Sequence, residues 1–377
     1  MKQVFFPCQI YWTDKQNWLW HIKSLPPESN ILFISGSVVS NMLSLNQVFD
    51  ELKQTHQVSV ITKAKNIPTI EDIKNILDEI KEKPDVIVAV GGGSSIDIAK
   101  MIAAFWYLKE GTYCDEDILR SIQTKEYLKQ NRSVNIIAVP STAGTGSEVT
   151  SWATLWDIKN FRKYSVDASY LYPKETFIIP EFTFTMPDRL TLATGLDALC
   201  HATESYWAKD GNSITRELSK VAIKLIVDYL PKVLEDREND YFRKKMALGS
   251  LYAGLAFSQT RTTACHSISY PLTMKYGIEH GFACALTLAE VFKLNKEHIV
   301  EVDELLEAFN IKDISELKIW LDKVSKNIVS LSLVGFNIKE EEIPLIAKMS
   351  FTQGRMDNNP VALNEEDVSR LLKKIYD

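Results

Sequence analysis

Short apolar runs alternate with helical stretches in the first half of the chain. Residues 31–35 and 58–62 are rich in β-branched side chains and end at small or polar residues, which predicts buried strands. Residues 69–83 place apolar side chains at helical spacing, and two further apolar strands are predicted at 85–90 and 136–139. Strand and helix in this alternation predict a parallel sheet covered by helices on both faces.

After about residue 180, helical spacing replaces the strand pattern. An apolar stripe that starts near Ile214 predicts a helix that stops at Pro231, because proline lacks the backbone N–H that a helix interior needs. Helical spacing continues in the segments around 242–258, 300–308, 314–332 and 361–375. The sequence therefore predicts an α/β dinucleotide-binding domain over residues 1–180 and an all-α metal-binding domain over 181–377, with the boundary near Ile179-Pro180.

Composition narrows the class of protein. The 377 residues carry a net charge of −6, and 45% are hydrophobic and 24% charged, as in folded globular proteins. Mild acidity argues against nucleic acid as the main partner, and no apolar run reaches the ~20 residues that cross a bilayer. Five scattered cysteines without CxxC spacing, and an N-terminus without a signal-peptide pattern, predict a cytoplasmic protein with no membrane partner.

Two loops rich in small residues follow predicted strands. Gly91-Gly92-Gly93 comes directly after one strand and opens a predicted helix, where free N–H groups can hold a phosphate. The loop is not G-x-G-x-x-G, and a turn needed only for packing is the alternative. A second such loop, residues 141–148, follows the strand at 136–139. Two loops at one sheet edge favour a cofactor that contains a pyrophosphate.

Three of the six histidines form a candidate metal site with one aspartate. Asp197 and His201 are four residues apart, so they share one helical face. His266 and His280 lie among small and apolar residues. One carboxylate and three imidazoles suit Fe(II) or Zn(II), although each of these residues alone could be an ordinary core residue.

With these motifs, the chain resembles the iron-containing, or group III, alcohol dehydrogenase family over nearly its whole length. The resemblance is carried, in matching order and spacing, by residues 66–69, 91–100, 140–150, 194–206 and 279–281. It implies a divalent metal, Fe(II) with Zn(II) as the alternative, held by Asp197, His201, His266 and His280, and an NAD(P)H cofactor. The cofactor contacts that it implies are Gly92, Gly93, Ser94, Asp97, Thr142, Thr145 and Lys163.

Two positions depart from the family pattern. Many members have a second histidine four residues after the third ligand, where it is thought to relay a proton, and this chain has Tyr270. Tyr270 or an ordered water could take that role. Where an NAD-preferring member has an aspartate after the strand at 31–35, this chain has Gly36. Gly36 therefore permits NADPH, unless it only caps the strand.

The residues near His266 bear on the substrate. Arg261 precedes this predicted ligand by five residues, and a guanidinium is suited to a phosphonate, sulfonate or carboxylate. The alternative is that Arg261 pairs with a structural carboxylate such as Glu279. The runs 147–157 and 260–273 resemble the phosphonate-associated branch, whose members reduce phosphonoacetaldehyde to 2-hydroxyethylphosphonate.

We therefore predict a metal-dependent NAD(P)H aldehyde reductase for a small anionic aldehyde, with Arg261 and Tyr270 as catalytic residues and a homodimer or larger oligomer as the assembly. Within the family, sulfoacetaldehyde or a neutral short-chain aldehyde is the alternative substrate. From other classes, the alternatives are a relative of the sugar-phosphate cyclases and a metal-free nucleotide-binding protein.

Overall fold

Eight strands and six helices form the first part of the chain in the computed structural model, which describes residues 4–63, 67–108, 113–129, 134–160 and 162–377. The strands are β1 (Gln9–Trp12), β2 (Asn30–Gly36), β3 (Gln57–Lys63), β4 (Val86–Gly91), β5 (Asn135–Pro140), β6 (Trp152–Asp157), β7 (Arg162–Asp167) and β8 (Glu175–Ile178). The helices are α1 (Lys15–Lys23), α2 (Ser37–Met42), α3 (Leu45–Leu52), α4 (Ile70–Glu79), α5 (Gly93–Phe105) and α6 (Asp115–Thr124).

Six of these strands form one parallel sheet in the order β1-β8-β5-β4-β2-β3, and β6 and β7 form a separate antiparallel hairpin. Successive side chains of a strand point to opposite faces of the sheet and pack in different hydrophobic clusters. Leu32 and Ile34 pack with α4, α5 and α6, whereas Ile31 and Phe33 pack with α1 and α3. Both faces of the sheet are therefore buried, as its continuous apolar strands predicted.

Capping explains where α4 begins. The Thr69 hydroxyl accepts a hydrogen bond from the Asp72 N–H, and the Asp72 carboxylate accepts one in return from the Thr69 N–H. The helix ends at Glu79 because Ile80 has extended backbone dihedrals, so it is shorter than the predicted stretch 69–83. Asn66, the first residue of the motif at 66–69, lies outside the described residues.

The second part of the chain is helical throughout its described residues. Its helices are α7 (Asp188–Trp207), α8 (Ser213–Glu235), α9 (Asp240–Thr260), α10 (Ala264–Tyr276), α11 (His280–Asn295), α12 (Val302–Phe309), α13 (Ser315–Ser325), α14 (Ile343–Met349) and α15 (Glu365–Lys374). Their apolar faces share one large core. The predicted fold class, a parallel α/β part followed by an all-α part, is confirmed.

The chain divides into two compact units. The sheet unit comprises residues 6–142 and 147–185, and the helical unit comprises residues 143–146 and 186–377 with the N-terminal segment that ends at Phe5. The assignment of residues 1–180 to dinucleotide binding and 181–377 to metal binding stays a prediction. In the described part of the chain, no helix has the length and apolarity that a membrane crossing requires.

The prediction that a helix stops at Pro231 is wrong. Helix α8 runs through Pro231 to Glu235. The proline lies in the last turns, where its missing N–H costs one hydrogen bond. Leu230 and Val233, on either side of it, are buried in the helical core and hold this end of the helix in place.

Helix α11 approaches α7 closely because its second residue is Gly281. A Cβ atom at Gly281 would overlap the carbonyl oxygen of Ala193 and lie 2.7 Å from its carbonyl carbon. It would also lie 3.1 Å from the Cβ of Asp197. Glycine at this position thus allows the start of α11, which carries His280, to pack directly on the segment of α7 that carries Asp197.

We expect Gly281→Ala to destabilise the protein by about 1–3 kcal/mol, because the new methyl group meets rigid backbone. Differential scanning calorimetry should show a fall in Tm of roughly 1–4 °C. Gly249→Ala is the matched control within a helix. There the Cβ would meet two side chains, at 3.0 Å from Ile226 Cγ1 and 3.2 Å from Leu225 Cβ, and would have an ordinary contact of 3.5 Å with the Ala222 carbonyl oxygen, so its Tm should fall less than that of Gly281→Ala. Equal losses in the two variants would contradict this account.

Candidate functional site

The strand order of the sheet unit reverses between β2 and β4. The chain leaves β2 toward β3 on one side and leaves β4 toward β5 on the other. Ligands of parallel α/β sheets bind at the carboxyl ends of strands at such a point. Gly36 is the last residue of β2, and Gly91 is the last residue of β4. Gly36, and the predicted cofactor residues Gly92 and Gly93 that follow Gly91, therefore lie at this edge.

The two small-residue loops are in contact there. The Ser141 N–H donates a hydrogen bond of 2.9 Å to the Gly91 carbonyl. A Cβ atom on Gly92 would lie 3.3 Å from Thr142 Cγ2. Gly92 caps the N-terminus of α5, and Gly93 and Ser94 are its first two residues. A glycine-rich helix start of this kind is where α/β folds commonly hold a pyrophosphate.

Asp97 links α5 to the segment that follows the second loop. Its carboxylate accepts hydrogen bonds from Ser147 Oγ at 2.5 Å and from the Thr154 N–H at 2.9 Å. Burial raises the pKa of Asp97, and the Lys100 ammonium opposes the rise. Lys163, on β7, has its Nζ 6.0 Å from the centre of the Trp156 ring.

The predicted cofactor residues are thus only partly brought together. Gly36, Gly92, Gly93, Ser94, Asp97, Thr142 and Lys163 belong to the sheet unit, whereas Thr145 belongs to the helical unit. Their roles as cofactor contacts stay predictions. The reversal of strand order, which the sequence analysis did not predict, adds an independent reason to place the cofactor at this edge.

The four predicted metal ligands meet in the helical unit. Asp197 and His201 lie on α7, His266 on α10 and His280 on α11. The Asp197 Oδ1 atom is 3.5 Å from His266 Nε2 and 3.9 Å from the Nε2 atoms of both His201 and His280. Their roles as ligands stay predictions, but all three imidazole rings lie around the Asp197 carboxylate.

Two atoms of this cluster are buried without a hydrogen-bond partner among the described residues. They are Asp197 Oδ1 and His266 Nε2, and they face each other. Burial of an unpartnered polar atom costs about 1–3 kcal/mol, so such atoms are rare in folded proteins. A cation between them would remove this cost, and the residues present therefore fit a metal ion.

Glu204, which the sequence analysis missed, orients His266. Its Oε2 accepts a hydrogen bond from His266 Nδ1, and its Oε1 accepts from the Thr263 hydroxyl at 2.7 Å and from the Cys265 N–H at 2.8 Å. Burial raises the pKa of Glu204, but His266 and these donors lower it by more. The pKa of Glu204 is therefore below its ordinary value. Its seven-residue spacing from Asp197 was the available signal, because both then lie on one face of α7.

His201 is held by its own contacts. Its ring stacks on Phe257 with centroids 4.0 Å apart, and its Nδ1 lies 3.3 Å from the Gly144 carbonyl oxygen. Burial lowers the pKa of His201 to about 3. The ring is therefore neutral at pH 7, which is the form that binds metal ions.

Cys284 is a further member of the cluster that the sequence analysis missed. It lies one helical turn after His280 on α11, and its Sγ is 3.8 Å from His280 Nε2. Burial raises the pKa of Cys284, but the facing His266 and His280 rings lower it by more, so the pKa is about 7. The same four-residue spacing that singled out Asp197 and His201 was the signal that could have found it.

The two predicted catalytic residues lie on either side of His266 in sequence. Tyr270 is buried, and its ring stacks on His280 with centroids 5.9 Å apart. Arg261 ends helix α9 and is half-buried. The partner proposed in the alternative interpretation of Arg261, Glu279, forms a two-pronged ion pair with Arg189 instead, in which Arg189 Nη2 is 2.9 Å from Glu279 Oε2.

A dinucleotide loop and a buried cluster of metal-binding side chains in one chain are typical of a metal-dependent dehydrogenase. Sequence comparison identifies the group. Residues 16–180 match "Iron-containing alcohol dehydrogenase", and residues 191–376 match "Fe-containing alcohol dehydrogenase family, C-terminal". The chain belongs to the iron-containing alcohol dehydrogenase family, as the sequence motifs predicted.

Individual relatives are distant. The NAD-dependent methanol dehydrogenase of Bacillus methanolicus is 31% identical over 84% of each chain. The phosphonoacetaldehyde reductase of Streptomyces viridochromogenes is 30% identical over 77% of this chain and 76% of its own. The crystal structure of sulfoacetaldehyde reductase from Bifidobacterium kashiwanohense in complex with NAD+ superposes with a TM-score of 0.89 at 27% identity, covering 100% of this chain and 98% of that one.

Family membership confirms several predictions. The chain is an NAD(P)-dependent alcohol dehydrogenase, or aldehyde reductase, of the iron-containing type, and a small alcohol or aldehyde is its substrate. The resemblance to the phosphonate-associated branch is also confirmed. The sugar-phosphate cyclase and the metal-free nucleotide-binding protein are thereby set aside.

We expect Glu204→Gln to weaken metal binding 10- to 100-fold, because a neutral amide orients and polarises the His266 ring less well than a carboxylate. Competition with a chelator on the metal-free protein measures this affinity. Glu290→Gln, on α11, is the control: Glu290 pairs with Lys293 on its own helix, so the affinity should not change. An unchanged affinity in Glu204→Gln would mean that His266 is not a ligand.

We also expect the unmodified enzyme to accept NADPH, because Gly36 offers no carboxylate to repel a 2′-phosphate. Gly36→Asp should shift the ratio of kcat/KM for NADPH and NADH toward NADH by about tenfold or more, equivalent to ~1.4 kcal/mol. Strong rejection of NADPH by the unmodified protein would show that another residue decides cofactor choice.

Proposed function

We propose that this enzyme reduces a small anionic aldehyde with NAD(P)H, with phosphonoacetaldehyde as the first candidate and 2-hydroxyethylphosphonate as the product. Arg261 binds the anionic group. The single observation that carries this proposal is the backbone of Arg261, which is held in a conformation that ordinary residues avoid, five residues before His266.

Arg261 has φ 62° and ψ −172°. This region of backbone space is nearly restricted to glycine, and a residue with a side chain costs of order 1–3 kcal/mol there. Such strained residues are concentrated at ligand-binding and catalytic sites, where the strain fixes the position of a functional side chain. Arginine at a position that favours glycine therefore supports a role for its guanidinium.

Hydrogen bonds on both sides keep this segment in place. The Arg261 N–H donates to the Phe257 carbonyl at 2.8 Å, and the Arg261 carbonyl accepts from the Thr260 hydroxyl at 2.8 Å. The Asn358 amide donates to the carbonyls of Thr260 at 2.8 Å and Thr262 at 3.1 Å. A buried side chain thus anchors the backbone immediately before and after Arg261, and a rigid segment is what a binding site for a small anion needs.

The remaining groups have complementary roles. Asp197, His201, His266 and His280 bind the metal, and Glu204 orients His266. When bound, the metal supplies Lewis acidity toward the carbonyl oxygen, and the nicotinamide supplies the hydride. Arg261 fixes the anionic end of the aldehyde, so the carbonyl group is held in one orientation. Tyr270, stacked on His280, supplies the proton that completes the alcohol, directly or through a water molecule.

Relatives named for anionic aldehydes are among those that this chain matches. Two of the three relatives described above are named for aldehydes that carry a tetrahedral oxyanion, a phosphonate and a sulfonate. The methanol dehydrogenase, at similar identity, is named for a neutral alcohol. Overall similarity therefore does not select the substrate, and Arg261 is the feature on which the proposal depends.

We expect Arg261→Ala to weaken the binding of phosphonoacetaldehyde and sulfoacetaldehyde in the transition state by ~2–5 kcal/mol, since a buried charge-assisted contact is lost. The value of kcat/KM for both aldehydes should fall by the corresponding factor. That is roughly 30-fold to several thousand-fold. Butyraldehyde, which is neutral, should lose much less. Arg261→Lys should recover part of the loss, because an ammonium cannot form the two-pronged contact of a guanidinium. The measurement is NAD(P)H oxidation by the metal-loaded enzyme.

Tyr270→Phe is the contrasting variant. Because proton supply does not depend on the charge of the substrate, it should lower kcat/KM for charged and neutral aldehydes alike. Arg261→Gly tests the strain separately: it removes the guanidinium but relieves the backbone, so it should bind phosphonoacetaldehyde as poorly as Arg261→Ala and have a higher Tm. If Arg261→Ala affects charged and neutral aldehydes equally, Arg261 supports the fold or cofactor and the anionic substrate is excluded.

A further inference from the structure

Arg355 is a buried arginine in an irregular part of the helical unit. It lies in the segment 350–359, between α14 and α15, and only 7% of it is exposed. Phe351, in the same segment, is 39% exposed. A segment that turns an aromatic ring outward and a guanidinium inward reverses the usual preference, because arginine is almost never fully buried unless it has a partner. The orientation of Arg355 therefore needs a specific explanation.

Arg243, the other arginine that is buried in the described part of the chain, has a structural explanation. It donates to the Arg237 carbonyl at 2.7 Å and to the Thr191 hydroxyl at 3.1 Å, and so joins α9 to the first turn of α7. Arg355 Nη1 donates to the carbonyl of its own neighbour, Gly354, at 2.9 Å, and this bond joins no two elements. A guanidinium carries five N–H donors in a planar fork, so it can bind an anion while it keeps this bond.

One end of the segment 350–359 is attached next to a predicted metal ligand. The hydroxyl of Ser267, the residue after His266, donates to the Ser350 carbonyl. The same hydroxyl accepts a hydrogen bond of 3.0 Å from the Thr352 N–H. These bonds hold the beginning of the segment against the first turn of α10.

The other end is attached on both sides of Arg261. The Asn358 amide donates to the carbonyls of the residues before and after Arg261, at 2.8 Å and 3.1 Å. Between the two attachments, the Arg355 N–H donates to the Thr352 carbonyl at 3.2 Å, and the Asn358 N–H donates to the Arg355 carbonyl at 3.1 Å. Turns of this kind bring their first and fourth Cα atoms within about 7 Å. Arg355 is thus held close to both attachments, on the segment that supports Arg261.

We propose that Arg355 is the second guanidinium of the anion-binding site and binds the same substrate group as Arg261. One guanidinium satisfies a carboxylate, because the two-pronged contact uses both of its oxygens. A phosphonate or sulfonate is tetrahedral and has three oxygens, so it can bind two guanidinium groups at once. The pair of arginines therefore selects an aldehyde with a tetrahedral oxyanion over one with a carboxylate. This inference rests on the proposed function and specifies its substrate class.

Two alcohols that differ only in the anionic group test this selection without hydride transfer. They are 2-hydroxyethylphosphonate and 3-hydroxypropionate, and isothermal titration calorimetry on the metal-loaded full-length enzyme measures their Kd values. We expect the unmodified enzyme to bind the phosphonate at least about tenfold more tightly, because a hydrogen bond to a charged group contributes that much or more. Equal affinities would overturn the role of Arg355, and this measurement needs no variant.

Three variants assign the selection to Arg355. Arg355→Met keeps an unbranched side chain without its charge, and it should weaken binding of 2-hydroxyethylphosphonate about 10- to 150-fold. Binding of 3-hydroxypropionate and kcat/KM for butyraldehyde should change much less. Arg355→Lys should recover part of the affinity, because an ammonium retains the charge but not the fork. Arg370→Met is the matched control: Arg370 pairs with Asp367 on the surface of α15, so its loss removes one positive charge and should change no affinity.

The outcomes separate this inference from the proposed function. If Arg261→Ala weakens binding of 2-hydroxyethylphosphonate and Arg355→Met does not, the role of Arg355 is overturned and the proposed function stands. If neither substitution changes this affinity, the proposed function fails as well. If Arg355→Met lowers kcat/KM for butyraldehyde as much as for phosphonoacetaldehyde, Arg355 supports the fold of its segment and does not bind the anion.

Discussion

One buried carboxylate, that of Glu204, holds the ring of His266 within the predicted metal site. It accepts the hydrogen bond of the His266 ring, and its other oxygen binds the backbone and side chain that begin helix α10. Glu204 lies on α7, the helix that also carries Asp197 and His201. A single side chain thus fixes the position of α10, and of the segment before it that contains Arg261, relative to two predicted metal ligands. The residue proposed to bind substrate and the predicted metal ligands are therefore connected through one side chain.

The sequence predicted those parts of the fold whose pattern is local. Strands β2, β4 and β5 are buried on both faces, so each is a continuous apolar run that is visible without neighbours. Strand β1, which is short and largely exposed, and the β6–β7 hairpin were not predicted. Strand β1 pairs with β8, which is distant in sequence, and no local pattern reveals such a partner. Pro231 shows the same limit: local propensity stops the helix, and tertiary packing continues it.

Some residues of the candidate site could likewise be predicted from local spacing, and others could not. Asp197 and His201 were recognised because four-residue spacing places two side chains on one helical face. The proximity of His266 and His280 to them follows only from the packing of three helices, and the sequence supplied it through resemblance to a family. Glu204 and Cys284 carried a usable helical spacing, but nothing in the sequence showed that their faces turn toward the metal rather than toward the core.

A short segment from the first half of the chain belongs to the helical unit. Residues 143–146 belong to that unit, although residues 142 and 147 on either side belong to the sheet unit. This short passage contributes the Gly144 carbonyl that lies beside His201, and a side chain at Gly144 would meet the Thr194 carbonyl at 2.5 Å. No single cut of the polypeptide can therefore separate the two units intact. A helical fragment produced alone would lack a piece of the wall around its own metal ligands.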